Sequence, residues 1–295
     1  MKKVITTSAY CKAVFGEKLY KLTLSAATSC PNRAMGQGCI FCSAGGSGEF
    51  AAPVHLPVDK QIELAKSRVR EKYRGGRFIA YFQSFTGTYG EIGRLREIYL
   101  AAARREDVAA VSIATRPDCL GEDVMEMLRE IAAVKPLWIE LGLQTESDVT
   151  ARSFGRGYPT ETYLRGVEKL RRLPVHIITH IILGLPGEDR AQMLRSALFA
   201  ARHSDGLKLQ LLHVLEGTEL AKRYRAGEVN LLSQTEYYEI VAEILQTLPE
   251  GKVIHRLTGD GDKRLLVAPL WSADKKRVMN QMNQYLKDHG LEVDR

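Results

Sequence analysis

A chain of 295 residues that is 45% hydrophobic and 26% charged can bury a large core, as one α/β barrel or as two modest domains. Five cysteines, an odd number with one close grouping, do not make a disulfide framework; no signal peptide and no apolar run of spanning length is visible, which points to the cytoplasm and away from the membrane. The net charge of +7 admits a polyanionic partner, although the excess sits in clumps (residues 66–77, Arg171-Arg172, Lys275-Lys276-Arg277) that solvated helix faces explain equally well, and no RRM or KH signature is present.

In chain order, β-branched and apolar runs predict strands at residues 21–26, 78–83, 108–114, 137–143, 176–183 and 207–213. Helical patterns fall at 59–73, 91–104, 121–134, 160–173 and 191–203, several opened by Asp, Thr or Pro. Such alternation specifies a parallel sheet with right-handed crossovers, and about six units are too few to close an eight-stranded barrel. The expectation is a partial (β/α)6 TIM-like barrel over residues 1–215. Residues 216–295 change character, with a helix at 234–247, a strand at 252–257 and a last helix at 275–287, and are read as a C-terminal α/β extension packed on the core within one continuous unit.

Cys30, Cys39 and Cys42 form the one cysteine grouping. Three thiolates can hold three irons of a [4Fe-4S] cluster and leave the fourth open; equally, CxxC spacing with a distant His such as His55 makes a zinc site. From the triplet alone both stay open. Cys11 and Cys119 read as ordinary thiols. In a parallel barrel, chemistry sits where strands run into loops. Polar residues gather there: the cysteine loop after the first strand, Gln83-Ser84-Phe85-Thr86 after the second, Thr115-Arg116-Pro117-Asp118 after the third, Gln144-Thr145 after the fourth, Gly184-Leu185-Pro186-Gly187-Glu188 after the fifth and His213 after the sixth.

Taken together, Cys30-Pro31-Asn32-Arg33, Cys39-Ile40-Phe41-Cys42, Tyr81-Phe82-Gln83, Thr115-Arg116-Pro117-Asp118, Glu140-Leu141-Gly142-Leu143-Gln144 and Gly184-Leu185-Pro186-Gly187-Glu188 resemble the radical S-adenosylmethionine (SAM) superfamily, over about residues 10 to 275. The Cx8CxxC spacing departs from the commoner Cx3CxxC and is similar to the branch of Elongator's catalytic subunit, within it to a short bacterial family with CPNR at the first cysteine. The resemblance implies a radical SAM type of partial barrel, a [4Fe-4S] cluster on Cys30, Cys39 and Cys42, and SAM chelated to the open iron and cleaved to a 5′-deoxyadenosyl radical.

Around SAM it implies Phe41 and Thr115. Gln83, Ser84 and Thr86 stand in place of the superfamily's Gly-Gly-Glu, which is absent here. Arg156 would pair the SAM carboxylate, Gln144 or Glu140 the ribose hydroxyls, and the turn at Gly184, Leu185 and Pro186 would approach adenine. It also implies a tRNA substrate. Because 295 residues leave no room for Elongator's acetyltransferase domain, the expected reaction converts 5-carboxymethylaminomethyl-(2-thio)uridine at wobble position 34 to the 5-aminomethyl form. The implied partners are the tRNA anticodon region, an electron donor such as flavodoxin or ferredoxin, and a downstream tRNA methyltransferase. Tyr89 and Trp271 are read as rim aromatics for an anticodon base, with a core position the favoured alternative for Trp271, residues 255–260 as lining the substrate mouth, and Tyr81 and His213 as suitably placed for a proton or hydrogen role. Two alternatives remain: radical chemistry on a small molecule or protein, and a zinc-stabilised tRNA-binding protein without enzyme activity.

Overall fold

The structure is a computed structural model that describes every residue except 37, 47, 70–72, 74–75, 260 and 294–295. Strand β1 (Lys2–Thr6) leads into α1 (Thr7–Phe15), and β2 (Tyr20–Leu24) into the cysteine loop, which contains the short helix α2 (Pro31–Ala34). Then follow α3 (Val58–Val69), β3 (Phe78–Phe82), α4 (Ile92–Arg104), β4 (Val108–Thr115), α5 (Glu122–Val134), β5 (Leu137–Gln144), α6 (Asp148–Ser153), α7 (Thr160–Leu170), β6 (Val175–Leu183), α8 (Arg190–His203) and β7 (Gly206–Leu211). The remainder comprises β8 (Val214–Leu215), α9 (Glu219–Arg225), α10 (Gln234–Thr247), β9 (Val253–Arg256), β10 (Leu266–Ala268), α11 (Lys275–Asp288) and β11 (Leu291–Val293).

The strands β2 to β7 pair in sequence, each parallel to the next, as the alternating pattern predicts. Every residue of β3 and β4 is buried, as expected of parallel strands covered on both faces. The sheet order is β11-β1-β9-β7-β6-β5-β4-β3-β2, with β2 and β11 at its two edges, so it curves without closing. The C-terminal segment therefore does more than pack on the core. Its strand β9 pairs parallel with β7 and, on the other side, with β1, and β11 pairs parallel with β1. The β1–α1 segment, which hydrophobic patterning did not reveal, joins the two ends of the chain through this pairing. The extension also contributes α10, opened by a reciprocal Ser233–Glu236 capping box, whose buried face joins the main apolar core.

Candidate active site

A cavity of about 250 Å³ opens at the C-terminal ends of the strands, and Cys30, Cys39, Phe41 and Cys42 form one wall of it. The loop that holds them is braced by its own sequence. Cys30 is the N-cap of α2, with Pro31 at the first helical position, where its missing N–H costs nothing. The Asn32 amide donates to the carbonyls of Gly155 (2.7 Å) and Arg156 (3.0 Å) and to the Cys39 sulfur (3.4 Å). Gly157 takes φ +83°, and a Cβ there would stand 2.2 Å from the Asn32 amide oxygen, so only glycine lets the turn come this close. Arg33 donates to the Cys42 sulfur (3.4 Å), to Ala44 O (3.1 Å) and to Ser43 O, and lies over the Phe85 ring. Asn32 and Arg33 thus aim N–H groups at two of the three sulfurs, the type of contact that tunes metal-bound thiolates. Burial pushes the Cys39 thiol up to about 11 and raises Cys42 too. A metal would reverse this, since coordination deprotonates a thiol outright.

The floor of the cavity is polar and charged. Glu140, fully buried on β5, accepts from Lys21 Nζ (2.6 Å) and Ser112 Oγ (2.9 Å) at one oxygen and from His180 Nε2 (2.7 Å) and Lys208 Nζ (2.7 Å) at the other. Lys208 also donates to the Tyr81 hydroxyl at 2.6 Å. Burial raises the Glu140 carboxyl, but the ammonium groups of Lys208 and Lys21 outweigh it and hold the group well below its ordinary range. His180 is lowered to about 4, first by burial and then by Lys208, so near neutral pH it is the uncharged imidazole donating from Nε2. Two non-glycine residues among those described have positive φ, Phe85 (57°) and Gln144 (63°), and both line this cavity. Backbone strain of this kind concentrates at functional sites.

Gln83, Thr86, Thr115 and Gln144 line the cavity with the cysteines, and Tyr81 and His213 line it as well. Among the described residues the buried Gln144 Oε1 has no hydrogen-bond partner, an acceptor open to a donor from a bound molecule. Thr115 shares a hydroxyl contact with Thr88 at 2.5 Å, and Phe41 packs on Phe154 with ring centroids 5.2 Å apart.

Other expectations are corrected. Arg156 touches the cavity, but its guanidinium donates to Tyr158 O, Leu143 O, Thr145 O, Asp148 Oδ1 and Thr160 Oγ1, which uses all five of its N–H groups and leaves none for a SAM carboxylate. Glu140, with its four donors, is saturated and has no capacity for ribose hydroxyls without losing a lysine. Ser84 lies behind the wall, its hydroxyl 3.0 Å from Ser25 Oγ. Gly184, Leu185 and Pro186 do not line the cavity: Leu185 is buried in an apolar cluster with Phe154 and Leu212, and Ile182, further back on β6, takes the lining position. His55, the zinc alternative's fourth ligand, is exposed and off the cavity. Cys11 is buried and Cys119 half-buried, and both are free thiols away from the triplet. Trp271 donates to Leu232 O and packs on Tyr237 and Tyr238 against the main core, which agrees with the core reading of it and not with the rim reading. Of the segment 255–260, Arg256 and Gly259 line the cavity, His255 turns away to His176 and Thr7, and Asp260 lies outside the described residues. Sequence reasoning missed Lys208 and Phe50, and named Phe85 only as part of the segment after the second strand. Phe50 was detectable only as an aromatic beside the glycine-rich loop; it lines the mouth while 44% exposed.

Residues 26–200 match the Radical SAM superfamily, and residues 204–288 match the Radical_SAM C-terminal domain. The chain belongs to the radical SAM superfamily. It is 40% identical over 294 residues to the protein YtqA of Bacillus subtilis (strain 168), covering 98% of this chain and 91% of that one. It is 24% identical over 186 residues to the tRNA uridine(34) acetyltransferase of Methanocaldococcus jannaschii, covering 62% of this chain and 33% of that protein. Its fold superposes on the archaeal Elp3 of Methanocaldococcus infernus with a TM-score of 0.68 at 15% identity, over 98% of this chain and 65% of that one. These relatives place it in the Elongator-like branch, as a radical SAM enzyme with the partial-barrel fold.

Radical SAM proteins use a [4Fe-4S] cluster and SAM, and the donor set here fits them. Among the described residues no three His, Cys, Asp or Glu side chains converge tightly enough to grip a single ion. The triplet instead flanks a cavity, an arrangement that suits one thiolate per iron of a polynuclear cluster. The orphaned Gln144 oxygen stands on the same cavity, where a ribose hydroxyl can donate to it.

Proposed function

We propose that this radical SAM enzyme modifies tRNA, converting 5-carboxymethylaminomethyl-(2-thio)uridine at wobble position 34 to 5-aminomethyl-(2-thio)uridine. The observation that carries this reading is a single cavity that joins the cysteine triplet to a cationic floor, a setting for radical chemistry on a substrate with a negative end. A matched relative bears the name tRNA uridine(34) acetyltransferase, which supports the same nucleotide as the target.

Cys30, Cys39 and Cys42 would hold the cluster, with Asn32 and Arg33 donating to two of the sulfurs. Gln144 would accept from the ribose hydroxyls of SAM, and Phe41, Gln83, Thr86 and Thr115 would flank it. Cluster and SAM together supply a hydrogen-abstracting radical. The carboxymethyl carbon beside nitrogen is the site from which hydrogen is lost most readily, because the nitrogen stabilises the resulting radical; loss of one further electron, with SAM the two-electron oxidant overall, would leave an imine that water then hydrolyses to the aminomethyl uridine and glyoxylate. The walls of the cavity keep that centre from water and side reactions. Phe50 at the mouth and Tyr89 on the loop after β3 offer exposed aromatic faces on which an unstacked anticodon base can lie. The setting is the cytoplasm, with flavodoxin or ferredoxin as reductant and a tRNA methyltransferase acting on the product. No helix among the described residues is long and apolar enough to cross a membrane.

Mass spectrometry of tRNA nucleosides from a strain lacking the gene tests the proposal. The carboxymethylaminomethyl uridine should accumulate and the aminomethyl or methylaminomethyl form should vanish. An unchanged profile would reject this substrate and turn the search to small molecules or proteins.

A further inference from the structure

The floor of the cavity carries more positive than negative charge. Lys208 and Arg256 line it and Lys21 lies just behind, around one carboxylate, Glu140, while His180 stays neutral near pH 7; burial pulls the Lys208 ammonium well below its ordinary range, and the Glu140 carboxylate 2.7 Å away opposes that and keeps the pair ionic. The other carboxylates on the cavity do not offset this: Asp262 is paired with Arg264 at 2.6 Å, and Glu49, on the cysteine-loop side, accepts from the Ser43 hydroxyl. Lys208 is 2% exposed, and its ammonium spends two of its three N–H groups on Glu140 and Tyr81. Arg256 is its register partner on the neighbouring strand β9 and lines the same cavity. Among the described residues its guanidinium has no hydrogen-bond or ion-pair partner. A half-buried guanidinium without acceptors, beside a buried ammonium with a donor to spare, is costly unless an anion completes it.

Resting on the wobble-uridine reading above, we infer that Arg256 and Lys208 form the subsite for the substrate's carboxylate, with Arg256 as its specificity-determining residue. A carboxylate matches the planar fork of arginine with two parallel hydrogen bonds, and the third Lys208 N–H can reach the same group. The carboxymethyl end would then lie on the floor, its CH2–N bond pointing back towards the cysteine wall. The group to be removed is thus the group that is recognised. An already trimmed aminomethyl uridine, which is cationic there, is repelled by the same two residues, so product does not re-enter. SAM also ends in a carboxylate, and the test separates the two sources.

The test uses the full chain, anaerobically reconstituted, with tRNA carrying the carboxymethylaminomethyl uridine and the same tRNA with its carboxylate converted to the neutral amide. Loss of a charge-assisted pair in Arg256→Gln should raise KM for the carboxylate tRNA about 10- to 100-fold. Turnover of the amide should change little, and Arg256→Lys, which keeps the charge without the fork, should fall between. Iron content, thermal midpoint and SAM affinity, measured by equilibrium dialysis, should match the parent in both variants. An equal effect of Arg256→Gln on both tRNAs, or none on either, would overturn the inference. So would a loss of SAM affinity with an unchanged KM for tRNA, which would assign the corner to the methionine carboxylate. If the parent enzyme itself leaves the carboxylate tRNA unaltered, it is the wobble-uridine reading that fails.

Discussion

An arginine between two glycines looks in sequence like a free anion ligand, and Arg156 shows why that reading fails. Nothing in Phe154-Gly155-Arg156-Gly157 reveals that four carbonyl and carboxylate oxygens and one hydroxyl will converge on its guanidinium once β5, α6 and α7 are packed. Its role is to fix the turn against which the cysteine loop leans through Asn32. Arg156→Ala, which strands those acceptors and Asp148, should lower stability by about 3 kcal/mol in urea unfolding. Near-parental stability combined with lost SAM affinity would restore the ligand role. Gln144 has the opposite profile, with a strained backbone and an idle oxygen. Gln144→Gly, which adopts φ +63° without cost, should keep the fold stable yet weaken SAM binding about tenfold in equilibrium dialysis. An unchanged SAM affinity would remove it from the site. Arg256 was legible only as part of a polar run; its alignment with Lys208, 48 residues away in sequence, depends on pairing between distant strands, which no local pattern encodes.

At the scale of elements, the six strands β2 to β7 were legible because each is a short, largely apolar run bounded by loops, with β3 and β4 wholly buried, and the helices between them carry ordinary start signals. The N-terminal strand was not. Residues 2–6 hold two lysines and a threonine, and they become a strand only because β9 and β11 offer edges to pair with. For the same reason the C-terminal segment, read from sequence as an extension packed on the core, supplies the strand that brings Arg256 to the floor. Helix α10 holds this arrangement from outside. Its cap is reciprocal: Ser233 Oγ accepts from Glu236 N (3.2 Å) and Glu236 Oε2 accepts from Ser233 N (2.8 Å). Ser233→Ala should cost about 1 kcal/mol in unfolding experiments. No change would show that the cap is offset by water.

Across the whole molecule, net charge was a poor guide to nucleic acid, because several basic clumps are spent on ion pairs. Arg171 pairs Asp205, Arg172 pairs Glu168, Lys66 pairs Asp107 and Arg77 pairs Glu17. The charge that matters is inside. Three histidines beneath or within the floor, His176, His180 and His255, are held neutral chiefly by burial, the first two lowered to about 4. In the unfolded chain each binds a proton below about 6.5, so their stabilising contribution is complete above that pH and is lost as pH falls towards 4. Glu188 runs the other way. Burial lifts it to about 7, so its neutral form favours the fold at low pH and that contribution fades as pH rises through 7. With three groups against one, the urea midpoint should drop between pH 6.5 and 5. A midpoint that rises over that range would mean the histidines are not buried as described.

The most direct test of the account is to combine the reconstituted enzyme, SAM and a reductant with tRNA from a strain lacking the gene, and to follow nucleosides and 5′-deoxyadenosine together. Conversion of the carboxymethylaminomethyl uridine to the aminomethyl form, in step with 5′-deoxyadenosine and absent in Cys39→Ala, is the predicted result. Formation of 5′-deoxyadenosine with every tRNA nucleoside unchanged would contradict it.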